Sequence, residues 1–183
     1  MSRLYMDSLR VHGDAQAAVH GGTGEHVVLK YLQFMTQIDV PRILYLVKAF
    51  AAAVLGTILV ATLTSLLMPE SAAPDARDRT GPPMIGVLVI WPILSTLVIW
   101  ALLARLRRIT PTYWHAAGAS ALVFLVLFSI GAGLQSGLIF AWPYFLYSLT
   151  FLAWQPKSDA DAFIMTGLLQ SAVMALPALI ISS

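Results

Sequence analysis

Apolar residues in this chain gather into long charge-free blocks separated by short polar segments. The longest block, Ile109 to Pro156, runs 48 residues without Asp, Glu, Lys or Arg. As one straight helix it would be about 72 Å long, more than twice the ~30 Å hydrocarbon core of a bilayer, so it must cross twice. Three further blocks, Ala49 to Met68, Met84 to Ala104 and Ala162 to Ile181, each have the length of one span. In lipid every backbone polar group must be satisfied within its own segment, which makes helices the expected form. The pattern predicts an all-α, polytopic transmembrane bundle with five spans at about residues 43–68, 84–104, 114–132, 137–154 and 162–181. The alternative is four spans plus a re-entrant segment in the second half of the long block.

Breaks between the spans carry recognisable signals. Pro69 ends the first span, and the stretch from Glu70 to Pro83, rich in Pro, Asp and Arg, reads as an exposed connector. The second span stops at Arg105, Arg107 and Arg108. The long block divides at residues 131–137, where Gly131, Gly133 and Gly137 surround Gln135 and Ser136. Gln155 to Asp159 forms the next turn, with Asp159 or Asp161 expected to cap the last helix. Pro92, Pro143 and Pro177 lie inside spans, where each removes a backbone donor and bends its helix.

Residues 1–41 form the one sizeable hydrophilic segment, and residues 42–183 the membrane domain. A Gly21-Gly22-Thr23-Gly24 break splits the segment. Beyond it Val28, Leu32, Met35 and Ile38 recur at helical spacing and predict an amphipathic surface helix over residues 25–38, with Lys30 near lipid headgroups. The first forty residues hold no apolar core of the length a cleavable signal needs, so insertion is expected to rely on the first span.

Composition agrees with the pattern: 58% of residues are hydrophobic and 11% charged, against about 45–50% and about 25% in soluble domains. Most of the 183 residues are taken by spans, which leaves no loop long enough for a globular catalytic domain. Cysteine is absent, which excludes disulfides, thiolate metal sites and cysteine nucleophiles. The net charge of +2 is spread over the flanks of the spans and reads as a topology signal rather than a nucleic-acid surface. With five spans, the side carrying the N-terminus holds nine basic residues and the other holds only Arg77 and Arg79. The N-terminus is accordingly expected in the cytoplasm and the C-terminus outside. Tyr113, Trp114 and Trp154 suit the interfacial aromatic belt. Alanine-rich spans, short loops and absent cysteine point to a bacterial inner membrane.

Candidate chemistry is sparse. Ion coupling and intramembrane catalysis need ionisable groups within the bilayer, and only Lys48 qualifies, two turns from a span start where it can snorkel to the interface. His115 stands at a span entrance. His12, His20 and His26, with Asp14 and Glu25, are metal-capable, but intervals of eight and six do not place the histidines on one helical face. No metal, cofactor or catalytic residue is assigned. The sequence has no His-Glu-x-x-His, no Gly-x-Ser-x-Gly and no phosphate loop, so no enzyme activity is expected.

Small residues are more informative. Ala52 and Gly56, and Ser129, Gly133 and Gly137, repeat every four positions and allow helices to approach closely. The fourth span carries Phe140, Trp142, Tyr144, Phe145, Tyr147, Phe151 and Trp154, an aromatic set suited to core packing. Trp142, Tyr144 and Tyr147 are the candidates for a groove holding a lipid, quinone or pigment ring. Gln135 and Gln170 are candidates for hydrogen bonds between helices.

The layout of a polar N-terminus before five compact spans is similar to that of Yip1-domain membrane proteins; the resemblance is one of layout, and no activity is carried over from it. The expected function is a non-enzymatic accessory or assembly subunit of a larger membrane complex. Its expected partners are the lipid bilayer and other membrane subunits or further copies of itself, with no nucleic acid. The competing expectation is a small transporter or channel for an apolar or neutral solute, with Pro92, Pro143 and Pro177 along its path.

Overall fold

A computed structural model describes Met35 and residues 40–68, 85–110 and 112–182, with side chains to Pro177. The predicted surface-helix residues Val28, Lys30, Leu32 and Ile38 and the three N-terminal histidines lie outside the described residues. Among those described there are helices and no strand. Five helices are long and apolar enough to cross a membrane: α1 (Arg42–Leu67), α2 (Gly86–Leu106), α3 (Tyr113–Ala132), α4 (Leu134–Trp154) and α5 (Asp159–Pro177, continuing to Ser182). The second half of the charge-free block is thus a full helix of 21 residues, and the four-span alternative does not hold.

The break between α3 and α4 is narrower than the expected residues 131–137. It falls at Gly133, whose φ of +88° lies in the region that favours glycine. Gly137 instead lies inside α4, because there is no room for a side chain at that point. An added Cβ would overlap Ser129 Oγ and lie 2.6 Å from the Leu125 carbonyl oxygen on α3. The two helices form a close hairpin.

α4 is the centre of the bundle and touches every other helix, whereas α1 and α2, although consecutive among the spans, do not touch each other. α5 lies between them and packs on both. The buried faces follow helical spacing: Ala116, Ala117, Ser120, Ala121 and Phe124 on α3, and Ala162, Met165, Thr166, Leu169 and Gln170 on α5. The aromatic set on α4 fills this core. Tyr144 stacks on Phe124 at 3.9 Å between ring centres, and Phe128 on Phe140 at 4.5 Å. Ring stacks of this kind add about 0.5–1.5 kcal/mol beyond their area.

α2 opens with a π-helical turn, Gly86–Ile90, just ahead of Trp91 and Pro92. Pro92 has no amide proton to donate within the helix. The hydroxyl of Ser171 on α5 donates to the Leu88 carbonyl within this turn at 2.8 Å, so a neighbouring helix bonds to the backbone beside the proline.

Candidate functional site

Charge is confined to one end of the described bundle. The Arg42 guanidinium at the start of α1 meets Asp161 in the first turn of α5 at 2.8 Å. Arg107, just past α2, donates to Gln155 Oε1 at 3.1 Å and lies 5.0 Å from the centre of the Tyr113 ring. Lys157 lies 4.5 Å from the Trp154 ring centre. These contacts gather the start of α1, the turn between α2 and α3, and the turn between α4 and α5 at one end, as an odd-numbered antiparallel bundle requires.

Lys48 is exposed on α1 and His115 is exposed at the entrance of α3. Among the described residues no group of three potential ligands is arranged to hold a metal ion. The cap of α5 differs from expectation. Ser158, rather than Asp159 or Asp161, occupies the capping position, and its Oγ accepts from the Asp161 amide at 2.9 Å. The residue preceding the first helical turn is the one able to receive that amide.

Met35, expected on a lipid face, is fully buried, and its carbonyl accepts from the Tyr45 hydroxyl at 3.0 Å. This contact ties the approach to α1 into the core.

Midway along the bundle, Gln170 on α5 donates through Nε2 to Thr96 Oγ1 at 3.2 Å and accepts from Ser95 Oγ. All three side chains are buried. A second buried bond joins Ser148 on α4 to Ser120 on α3 at 2.9 Å. Sequence reading identified Gln170 but missed Ser95, Thr96, Ser120 and Ser148. Their positions inside apolar blocks were the available signal, because a hydroxyl placed in hydrocarbon needs a partner.

The small-residue candidates other than Gly133, where an added Cβ would meet nothing within 4 Å, take part in contacts within the chain. Gly56 and Ala52 on α1 face Trp142 of α4: the indole Nε1 donates to the Ala52 carbonyl at 3.0 Å, and an added Cβ at Gly56 would overlap the indole ring. Gly137 packs on Ser129 in the α3–α4 hairpin. Gln135 donates to Ser65 Oγ on α1 at 3.5 Å.

Of the proposed groove residues, Tyr144 is packed among rings, Trp142 is bonded to α1, and Tyr147 lines a cavity of about 370 Å³ between α1, α4 and α5. That cavity contains both Pro143 and Pro177. Pro92 lies instead in a shallower groove of about 360 Å³ between α2 and α5. The three prolines therefore do not share one path.

No protein-family model matches the chain, and no match was found among curated proteins or solved structures.

Proposed function

We propose that this multi-pass membrane protein is a non-enzymatic accessory or assembly subunit of a larger membrane complex. We further propose that it resides in a bacterial inner membrane with its N-terminus in the cytoplasm, by the distribution of basic residues. One observation carries the subunit reading. The buried polar side chains at mid-depth, Ser95, Thr96 and Gln170, bond to one another instead of lining a polar route. The bundle is thus suited to holding its shape, while α1 and α2 present broad apolar faces through Leu55, Leu59, Leu63, Ile93 and Leu97. The close-packing glycines serve the chain itself, so docking falls to these outer faces.

A photoreactive residue at Leu59, which is 61% exposed, tests this reading. In native membranes it is expected to give one discrete protein adduct, whereas the same residue at buried Ala53 gives none. Lipid adducts alone from both positions would overturn the subunit reading.

A second reading, a carrier for an apolar or neutral solute, draws support from the cavity that gathers Pro143 and Pro177. Uptake of such a solute into vesicles containing the purified protein, compared with empty vesicles, would separate the two.

A further inference from the structure

Positive charge at the charged end of the bundle is unevenly matched. At the α4–α5 turn acids stand beside the bases: Asp159 and Asp161 follow Lys157, and Asp161 pairs with Arg42. The α2–α3 turn carries Arg105, Arg107 and Arg108, and no Asp or Glu occurs in the chain from Arg79 to Ser158. Arg107 is engaged by Gln155 and the Tyr113 ring. Arg105 and Arg108 are exposed, and among the described residues neither has a hydrogen-bond, ion-pair or ring partner. One basic residue in a last helical turn is ordinary, since it complements the helix dipole. Two more arginines within the next three positions exceed that need.

The surroundings of these arginines identify the anion that suits them. Ile109, beside Arg108, is 80% exposed, and Tyr113 is an exposed aromatic at the other side of the turn, so the turn has the make-up of a membrane interface, where lipid phosphates lie. Side chains three and four positions apart share a helix face. Arg105 therefore stands over Ala101, Val98 and Leu94 on α2, all exposed and apolar. Leu94 to Arg105 spans about 16 Å of helix, close to half of the ~30 Å hydrocarbon core. The outer face of α2 thus offers one leaflet's depth of apolar surface beneath guanidinium groups that lack partners. A soluble anion would meet the arginines and leave this face uncovered. A zwitterionic lipid would cover the face, but its own cation offsets the phosphate charge. A lipid with a net negative headgroup satisfies both, because its phosphate oxygens accept paired bonds from a guanidinium.

We propose that the α2–α3 turn binds an anionic phospholipid, with its headgroup at Arg105 and Arg108 and an acyl chain along Val98 and Leu94. The proposal rests on neither the subunit nor the carrier reading.

The test adds phosphatidylglycerol or phosphatidylcholine of identical chains to the full-length protein in neutral detergent and counts bound lipid by native mass spectrometry. Phosphatidylglycerol is expected to be retained at concentrations where phosphatidylcholine is not, and to bind more weakly as salt is raised. Arg105→Gln and Arg108→Gln keep a polar side chain at an exposed position, and each is expected to weaken phosphatidylglycerol binding about fivefold. Lys48→Gln removes the same charge from α1, a helix that touches neither α2 nor α3, and should leave binding within about twofold. Glycerol phosphate, which has the anion without the acyl chains, is expected not to displace the lipid. Its competing as well as phosphatidylglycerol would show a plain anion site and overturn the proposal. Equal retention of phosphatidylcholine, or equal weakening by all three glutamine variants, would show unspecific attraction to the protein surface and overturn it as well.

Discussion

Trp142 lies edge-on over Gly56, its indole nitrogen 3.0 Å from the Ala52 carbonyl one turn earlier on α1. The glycine makes room for the ring, and the ring supplies a hydrogen bond that joins the outer helix α1 to the central helix α4. A small residue is needed at that position because hydrocarbon solvent gives helices little apolar drive to associate, leaving close packing and hydrogen bonds to do so.

Gly56→Ala is expected to destabilise the bundle by about 1–3 kcal/mol, the usual cost of overpacking, without affecting insertion. Gly118→Ala is the control, since an added Cβ there meets nothing within 4 Å. In unfolding from mixed micelles, the double variant Gly56→Ala with Trp142→Leu should show a smaller summed loss than the two single changes added together. Strict additivity would mean that the two residues do not share this contact.

The Gln170 node is expected to contribute modestly. Gln170→Leu should cost about 0.6 kcal/mol and at most ~1.7, the span found for hydrogen bonds between membrane helices. Thr96→Ala should then cost less in the Gln170→Leu background than in the unaltered chain. Equal costs in both backgrounds would remove the proposed coupling between α2 and α5.

What could be read from the sequence was set by charge and length. Arg105 to Arg108 and Lys157 ended spans where the structure ends helices, and the 48-residue block required two crossings. Helix order was not legible, because each span is apolar on most sides and no stripe points to a particular neighbour. The insertion of α5 between α1 and α2 depends on pairings such as Gln170 with Ser95, which have no signature in local spacing. Gly137 was read both as the edge of the turn and as a close-packing position, and the structure favours the second: glycine marks a flexible break and a close helix contact with the same letter. The Ser158-Asp159-Ala160-Asp161 cap was visible as a motif, yet the flanking acids drew the assignment away from the serine.

Ser158→Ala should lower stability by about 1 kcal/mol, as expected for loss of an N-cap. Arg42→Gln should cost less, because the Arg42 side chain is 63% exposed and its pair with Asp161 is weakened by water. Raising salt should narrow the difference between unaltered protein and Arg42→Gln while leaving the Ser158→Ala effect in place. A larger loss in Arg42→Gln would show that the ion pair, not the cap, fixes the start of α5.

Reporter fusions test the crossing number and orientation together. A reporter at the N-terminus is expected inside and one after Ser183 outside, with a third inserted between Arg108 and Thr112 sharing the side of the first. Both termini on the same side would contradict an odd number of spans.

The most direct measurement of the subunit reading is the mass of the particle released from native membranes in mild detergent, with every chain in it identified. One chain weighs 19.9 kDa. A particle of fixed stoichiometry that contains this chain with other membrane chains, or with further copies of itself, is the predicted result. A particle holding a single copy and lipid alone, with all apolar faces covered by detergent, would contradict it.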